Sequence, residues 1–264
     1  MADEIVDLGT DKVHLYRKVT GFPDHLAVIE VSREKVRNAV DGDTAQALTR
    51  ALDVLDSIPK VRTLFITGSG EKAFVSGGDL RDYTSRLDSV DKVREALSQM
   101  RRVLWRNYTG ARFVVAVMNG PARGGGSELA FSCHYRVMKE HASLGFVQAT
   151  QGIPPGWGGG TLLADQVGTA RARLALMSGS VFDAEEARKL GFVDEVVRDD
   201  ANMIERLQHI AHRFSRSTVS GALAVQAILN RSSKELLHNM EQESDACANL
   251  WFEPEHQEIL KKYS

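Results

Sequence analysis

Short apolar runs alternate with helix-spaced segments as far as about residue 198, and only helical patterning follows. Residues 13–19 and 26–31 read as strands joined by a turn at Gly21-Phe22-Pro23-Asp24. Residues 44–58 carry Ala45, Leu48, Leu52 and Leu55 at helical spacing. Residues 62–67 predict a buried strand closed by Gly68-Ser69-Gly70. Residues 90–108 predict a helix with Val93, Leu97, Met100, Val103 and Leu104 on one face. Residues 113–118, 135–138, 143–147 and 192–197 predict further strands, and 152–160 a glycine- and proline-rich loop. Residues 202–214, 221–229, 234–251 and 256–261 predict helices. Such alternation implies an α/β core over residues 1–198 and a helical segment over 199–264.

A chain of 264 residues is long enough for one large core. Its net charge of -2 provides no field for nucleic acid or an anionic membrane. Cys133 and Cys247 lie far apart, which predicts reduced thiols in a cytoplasmic protein rather than a disulfide framework. The acidic start carries no signal-peptide pattern, and no apolar run approaches the roughly 20 residues that span a bilayer.

The chemistry concentrates where strands end in glycines. After the run at 113–118 comes Asn119-Gly120-Pro121-Ala122-Arg123-Gly124-Gly125-Gly126-Ser127-Glu128, and Leu129-Ala130-Phe131 can continue as a helix. Bare glycine backbone lets a ligand approach its N–H groups, and a helix start adds unpaired donors. A second loop, Ala73-Phe74-Val75-Ser76-Gly77-Gly78-Asp79-Leu80, follows the strand at 62–67. If both strands point the same way, N–H groups from both loops converge on one oxygen; taken singly, each loop reads equally well as a tight turn. Glu128, one turn into its helix, is by spacing a helix-dipole or surface acid. Its apolar neighbours point instead to burial and a raised pKa. Other motifs fail on spacing. Residues 68–72 do not make a phosphate loop, Leu129 breaks a serine elbow, and His209 and His212 lack a third metal ligand. No metal site is expected.

These blocks, in order, resemble the crotonase (enoyl-CoA hydratase/isomerase) superfamily over roughly residues 12–230. Arg37-Asn38-Ala39-Val40 resembles the first CoA-contacting segment, with Glu34 in place of the usual proline. Residues 73–80 and 119–130 resemble the two oxyanion-hole blocks, 152–159 the glycine loop, and 178–197 the closing block. The resemblance implies a spiral of ββα units. It also implies a C-terminal helical segment that builds trimers or hexamers, and a CoA thioester substrate with no separate cofactor. By position it assigns the thioester oxygen to the N–H groups of Gly78 and Gly125, with Glu128 as the acid. Arg37, Ala39, Ser76, Asp79, Leu80, Gln148 and Trp157 are implied substrate contacts.

The chain departs from the hydratase pattern at one position. Where those enzymes carry a second glutamate, Gly145-Phe146-Val147-Gln148 places Gln148. An amide does not exchange a proton near neutral pH. Residues 146–159 resemble the ethylmalonyl-CoA decarboxylase branch, which implies a lyase acting on a short malonyl-type acyl-CoA. Two alternatives stand beside it: hydration or isomerisation with Glu128 as sole acid/base, and a non-catalytic acyl-CoA-binding scaffold.

Overall fold

The computed structural model describes residues 4–199, 202–214, 216–229 and 233–262. β1 (Glu4–Val6) and β2 (Val13–Arg17) form an antiparallel edge leading into β3 (Leu26–Val31). From there the chain repeats one path. A strand enters the large sheet, the chain touches a second, smaller sheet, and a helix returns over the outside. After β3 the touch is a bridge at Val40, followed by α1 (Gly42–Asp56). After β4 (Thr63–Gly68) it is Val75 and Gly78, followed by α2 (Leu80–Arg86) and α3 (Val90–Thr109). After β5 (Phe113–Met118) it is β6 (Ala122–Arg123), followed by α4 (Gly125–Phe131). After β7 (Tyr135–Lys139) it is β8 (Ser143–Gly145), followed by α5 (Gly159–Val167) and α6 (Thr169–Ser178). β9 (Val181–Asp183) closes the small sheet, and α7 (Ala184–Lys189) leads to β10 (Glu195–Val197).

The large sheet is ordered β1-β2-β3-β4-β5-β7-β10, and its strands from β3 onward are parallel. β4 and β5 are buried almost throughout, as strands covered on both faces must be. On one face α1, α3 and α4 pack into the main core. On the other, α8 (Met203–Phe214) lays Leu207 and Ile210 against Phe65, Val115 and Val137. α9 (Val219–Leu229) contributes no buried residue. α10 (Ser233–Leu250) returns to the main core through Met240, Cys247 and Ala248, and an Arg94–Asp245 ion pair of 2.7 Å ties it to α3. α11 (Pro254–Leu260) ends the described helices.

The fold is α/β with C-terminal helices, as the alternation implies. The small sheet was not legible because its strands are two or three residues long, too short for a period-2 pattern. Three expected strands are shorter in the structure, and that expected at 13–19 ends at Arg17. The strand expected at 143–147 stops at Gly145, ahead of a short 3-10 turn over Gln148–Gln151, and that expected at 192–197 narrows to β10. α5 starts inside the stretch read as a loop, at Gly159, despite the poor helix propensity of its glycines.

Candidate active site

Because β4 and β5 are adjacent and parallel, the loops that follow them leave the same edge of the sheet. They pair briefly on the way: Phe74 donates to Pro121 O at 3.0 Å, and Arg123 donates to Val75 O at 3.2 Å. This close run explains two glycines. A Cβ on Gly126 would lie 1.8 Å from Val75 O. Gly124 holds φ +51°, a conformation that side chains rarely adopt. Beyond the pairing the loops part. Neither the Gly78 nor the Gly125 N–H donates to an acceptor among the described residues. Both residues line one cavity of about 80 Å³. Gly77 bridges the loops, since a Cβ there would stand 3.3 Å from Gly125 N. Gly125 also opens α4, so its N–H is one of the donors a helix start leaves unpaired.

Glu128 lines the same cavity and is almost wholly buried, at 1% exposure. Its carboxylate is held by four N–H donors. Oε1 accepts from the Gln148 side-chain amide at 2.9 Å and from Gly156 N at 3.2 Å. Oε2 accepts from Trp157 N at 2.8 Å and from Gly159 N at 2.9 Å. Burial raises its pKa above the ordinary carboxylate range, and the four donors pull the other way. The donors fit the ionised form, which accepts and has nothing to donate. Gly159 allows the approach, because a Cβ there would lie 2.3 Å from that of Glu128.

Gln148 is buried, and its Nε2 is engaged with Glu128. That bond leaves its Oε1 buried and without a partner. Trp157 lies over Gly125, where an added Cβ would meet its ring at 2.5 Å. Ser76 and Leu80 also line the cavity. Arg37, Ala39 and Asp79 do not. Arg37 is exposed beside Ser76, whose N–H donates to Arg37 O at 3.1 Å, and Ala39 is buried. Asp79 caps α2 and pairs with Arg33 at 3.0 Å. Ser127 is no nucleophile, for its hydroxyl is buried and donates to Gly145 O at 2.9 Å.

Several lining residues escaped the sequence reading. Tyr83, Leu97, Cys247 and Trp251 complete the wall. Burial drives the Tyr83 hydroxyl and the Cys247 thiol far above their ordinary pKa values, so neither ionises near neutral pH. Met240, Ser244, Cys247 and Trp251 recur at helical spacing, and that stripe was the available signal for Cys247 and Trp251. A second carboxylate was missed as well. Glu243, on α10, accepts from Gly160 N at 3.0 Å, and from Thr161 N and the Thr161 hydroxyl at 2.7 Å each. Its pKa is pushed up to about 8 by burial and by the charge of Glu128. Burial and each other's charge raise the pKa of both carboxyls of this pair, and the hydrogen bonds favour the proton on Glu243. It has the smaller set of donors, and one of them is a hydroxyl able to reverse its bond.

Two unpaired backbone donors, one buried carboxylate and an apolar wall are what enolate chemistry requires. Comparisons with known proteins point to one family. The enoyl-CoA hydratase/isomerase family model matches residues 21–264. Crotonyl-CoA hydratase of Syntrophomonas wolfei is 34% identical over 203 residues, covering 77% of this chain and 76% of that protein. Ethylmalonyl-CoA decarboxylase of Rattus norvegicus is 29% identical over 258 residues, covering 95% of this chain and 83% of that protein. The crystal structure of an enoyl-CoA hydratase from Bacillus halodurans superposes with a TM-score of 0.86 at 23% identity. It covers 96% of this chain and all (100%) of that one, and shows the fold to be shared.

Proposed function

Because this chain belongs to the enoyl-CoA hydratase/isomerase family, we propose that it decarboxylates a short, malonyl-type acyl-CoA through an enolate held at Gly78 and Gly125. The observation that carries this reading is the Gln148–Glu128 bond of 2.9 Å. Adding water across a double bond needs a base for the water and an acid for the α carbon. Around this cavity Glu128 is the one carboxyl among the described lining residues, and burial keeps the Tyr83 hydroxyl and the Cys247 thiol protonated.

Decarboxylation asks for less. The bond from the α carbon to the carboxylate breaks, its electron pair becomes the enolate, and CO2 leaves. The new charge falls on the thioester oxygen between the two N–H donors. In other enzymes one such donor supplies roughly 3–4 kcal/mol. A substrate carboxylate placed near the Glu128 anion in this apolar cavity is also repelled, and departure as neutral CO2 relieves that repulsion. A proton then reaches the α carbon. Glu128 takes that proton from solvent and passes it on, and its raised pKa makes the uptake easier than at an exposed glutamate.

A second reading, hydration or isomerisation with Glu128 as sole acid/base, draws on the unpartnered Oε1 of Gln148, which a water hydroxyl could satisfy. Names such as crotonyl-CoA hydratase among the relatives favour it too. In either reading CoA arrives as part of the substrate. We also place the protein in the cytoplasm, as a homotrimer or hexamer. The exposed apolar side chains of α9 support assembly, and no helix among the described residues is long and apolar enough to cross a membrane.

Ethylmalonyl-CoA, methylmalonyl-CoA and crotonyl-CoA, offered separately, test the proposal. CO2 release from an α-carboxylated thioester without hydration of crotonyl-CoA is the expected result. Robust hydration that disappears in Glu128→Ala overturns it.

A further inference from the structure

Two carboxylates from distant parts of the chain meet at the start of α5. Gly158, at the cap position, brings no side chain to the free N–H groups of the first turn. Glu128, from α4, takes the Gly159 N–H, and Glu243, from α10, takes those of Gly160 and Thr161. Three consecutive donors therefore end on two glutamates. The segment from Gly156 to Gly159 supplies three of the four donors to Glu128, and Glu243 fastens the residues that follow it. Glu243 is half-buried and also borders an open apolar hollow with Ile153, Pro154 and Met177.

We propose that Glu243 is a positioning residue: from α10 it clamps the first turn of α5 and so holds the backbone donors that fix the Glu128 carboxylate. The inference rests on Glu128 being the acid–base group proposed above. It makes the state of the active-site carboxylate depend on the C-terminal helix. The titratable groups that face Glu243 are Glu128, across the helix end, and Cys247, one turn further along α10. While Glu243 is protonated the helix end holds one anion. Once Glu243 ionises it holds two, and the second charge raises the affinity of the Glu128 anion for a proton.

The test uses the full chain with 13C-labelled glutamate carboxyls. The Glu128 signal is assigned by its absence in Glu128→Gln. The pH dependence of kcat is measured in parallel on whichever thioester the wild type turns over. In wild type, the Glu128 signal and kcat should both show a step near pH 8, the value to which Glu243 is raised. Glu243→Gln should lose the step in both, with KM little changed. Thr161→Val deletes the hydroxyl donor to Glu243 and should move the step to higher pH. A step that survives Glu243→Gln, or stays in place in Thr161→Val, overturns the inference. Should Glu243→Gln fail to fold, Thr161→Val decides alone. Absence of CO2 release together with an intact carboxyl step would sink the decarboxylase reading and support this one.

Discussion

At the scale of single residues the proposed chemistry turns on the Glu128–Gln148 pair. Its members lie twenty residues apart in sequence and 2.9 Å apart in space. Gln148→Glu would set two carboxylates at that distance, where like charges keep one of them protonated. Crotonyl-CoA hydration should appear in that variant and CO2 release should fall, by tenfold or more in a side-by-side assay. Glu243 gives a second expectation, for stability. Its pKa rises from the ordinary 4.5 to about 8 on folding, so between those values the native state binds more protons than the unfolded one. Its contribution is fully present below pH 4.5 and is lost as the pH rises through 8. The melting temperature should therefore decline over that window, and Glu243→Gln should flatten the decline. Gly78, Gly125 and Glu128 were legible because each sits in a local run whose residue types are unusual together, and Gln148 only because the family resemblance places a glutamate there. Glu243 was not, because its partner lies 82 residues away in sequence and its own helix offers only a flanking position on an apolar stripe.

The parts that position these residues are loops and short helices. The Gly78 loop is tied down next door, where Arg33 reaches Asp41 and Asp79 at 3.0 Å each and Asp79 caps α2. Asp79→Ala should remove a cap and a charge partner together, costing roughly 1–2 kcal/mol in urea unfolding, with kcat falling more than KM changes. Gly126→Ala is harsher. Its Cβ would meet the carbonyl oxygen of Val75, a backbone atom with no rotamer to change. A loss of at least the roughly 1–3 kcal/mol of ordinary overpacking is expected, read as a lower melting temperature. The long elements were readable from sequence because α1 and α3 repeat a helical period and β4 and β5 are short, continuous apolar runs. α5 and α6 were not. The first opens on glycines held by glutamates from other elements, and the second is rich in alanine and arginine with little sidedness.

For the molecule as a whole, the parallel course of β4 and β5 turns two separate glycine loops into one site. The C-terminal helices divide their roles. α10 shares the main core, and Trp251 just beyond it is buried at 3% exposure against Tyr83. Trp251→Ala should cost about 3–5 kcal/mol in urea unfolding. α9 instead exposes Leu223, Val225, Ile228 and Leu229. Leu229→Lys should leave the fold of a subunit intact and lower the assembled mass measured by light scattering if α9 joins subunits. The central claim is that one thioester oxygen is shared by two backbone donors beside a single working carboxylate. A crystal structure with a non-hydrolysable acyl-CoA analogue tests it most directly. The oxygen should lie about 3 Å from both Gly78 N and Gly125 N, with Glu128 the one carboxylate near the α carbon. An oxygen bound away from either N–H, or a second carboxylate reaching the α carbon, would contradict it.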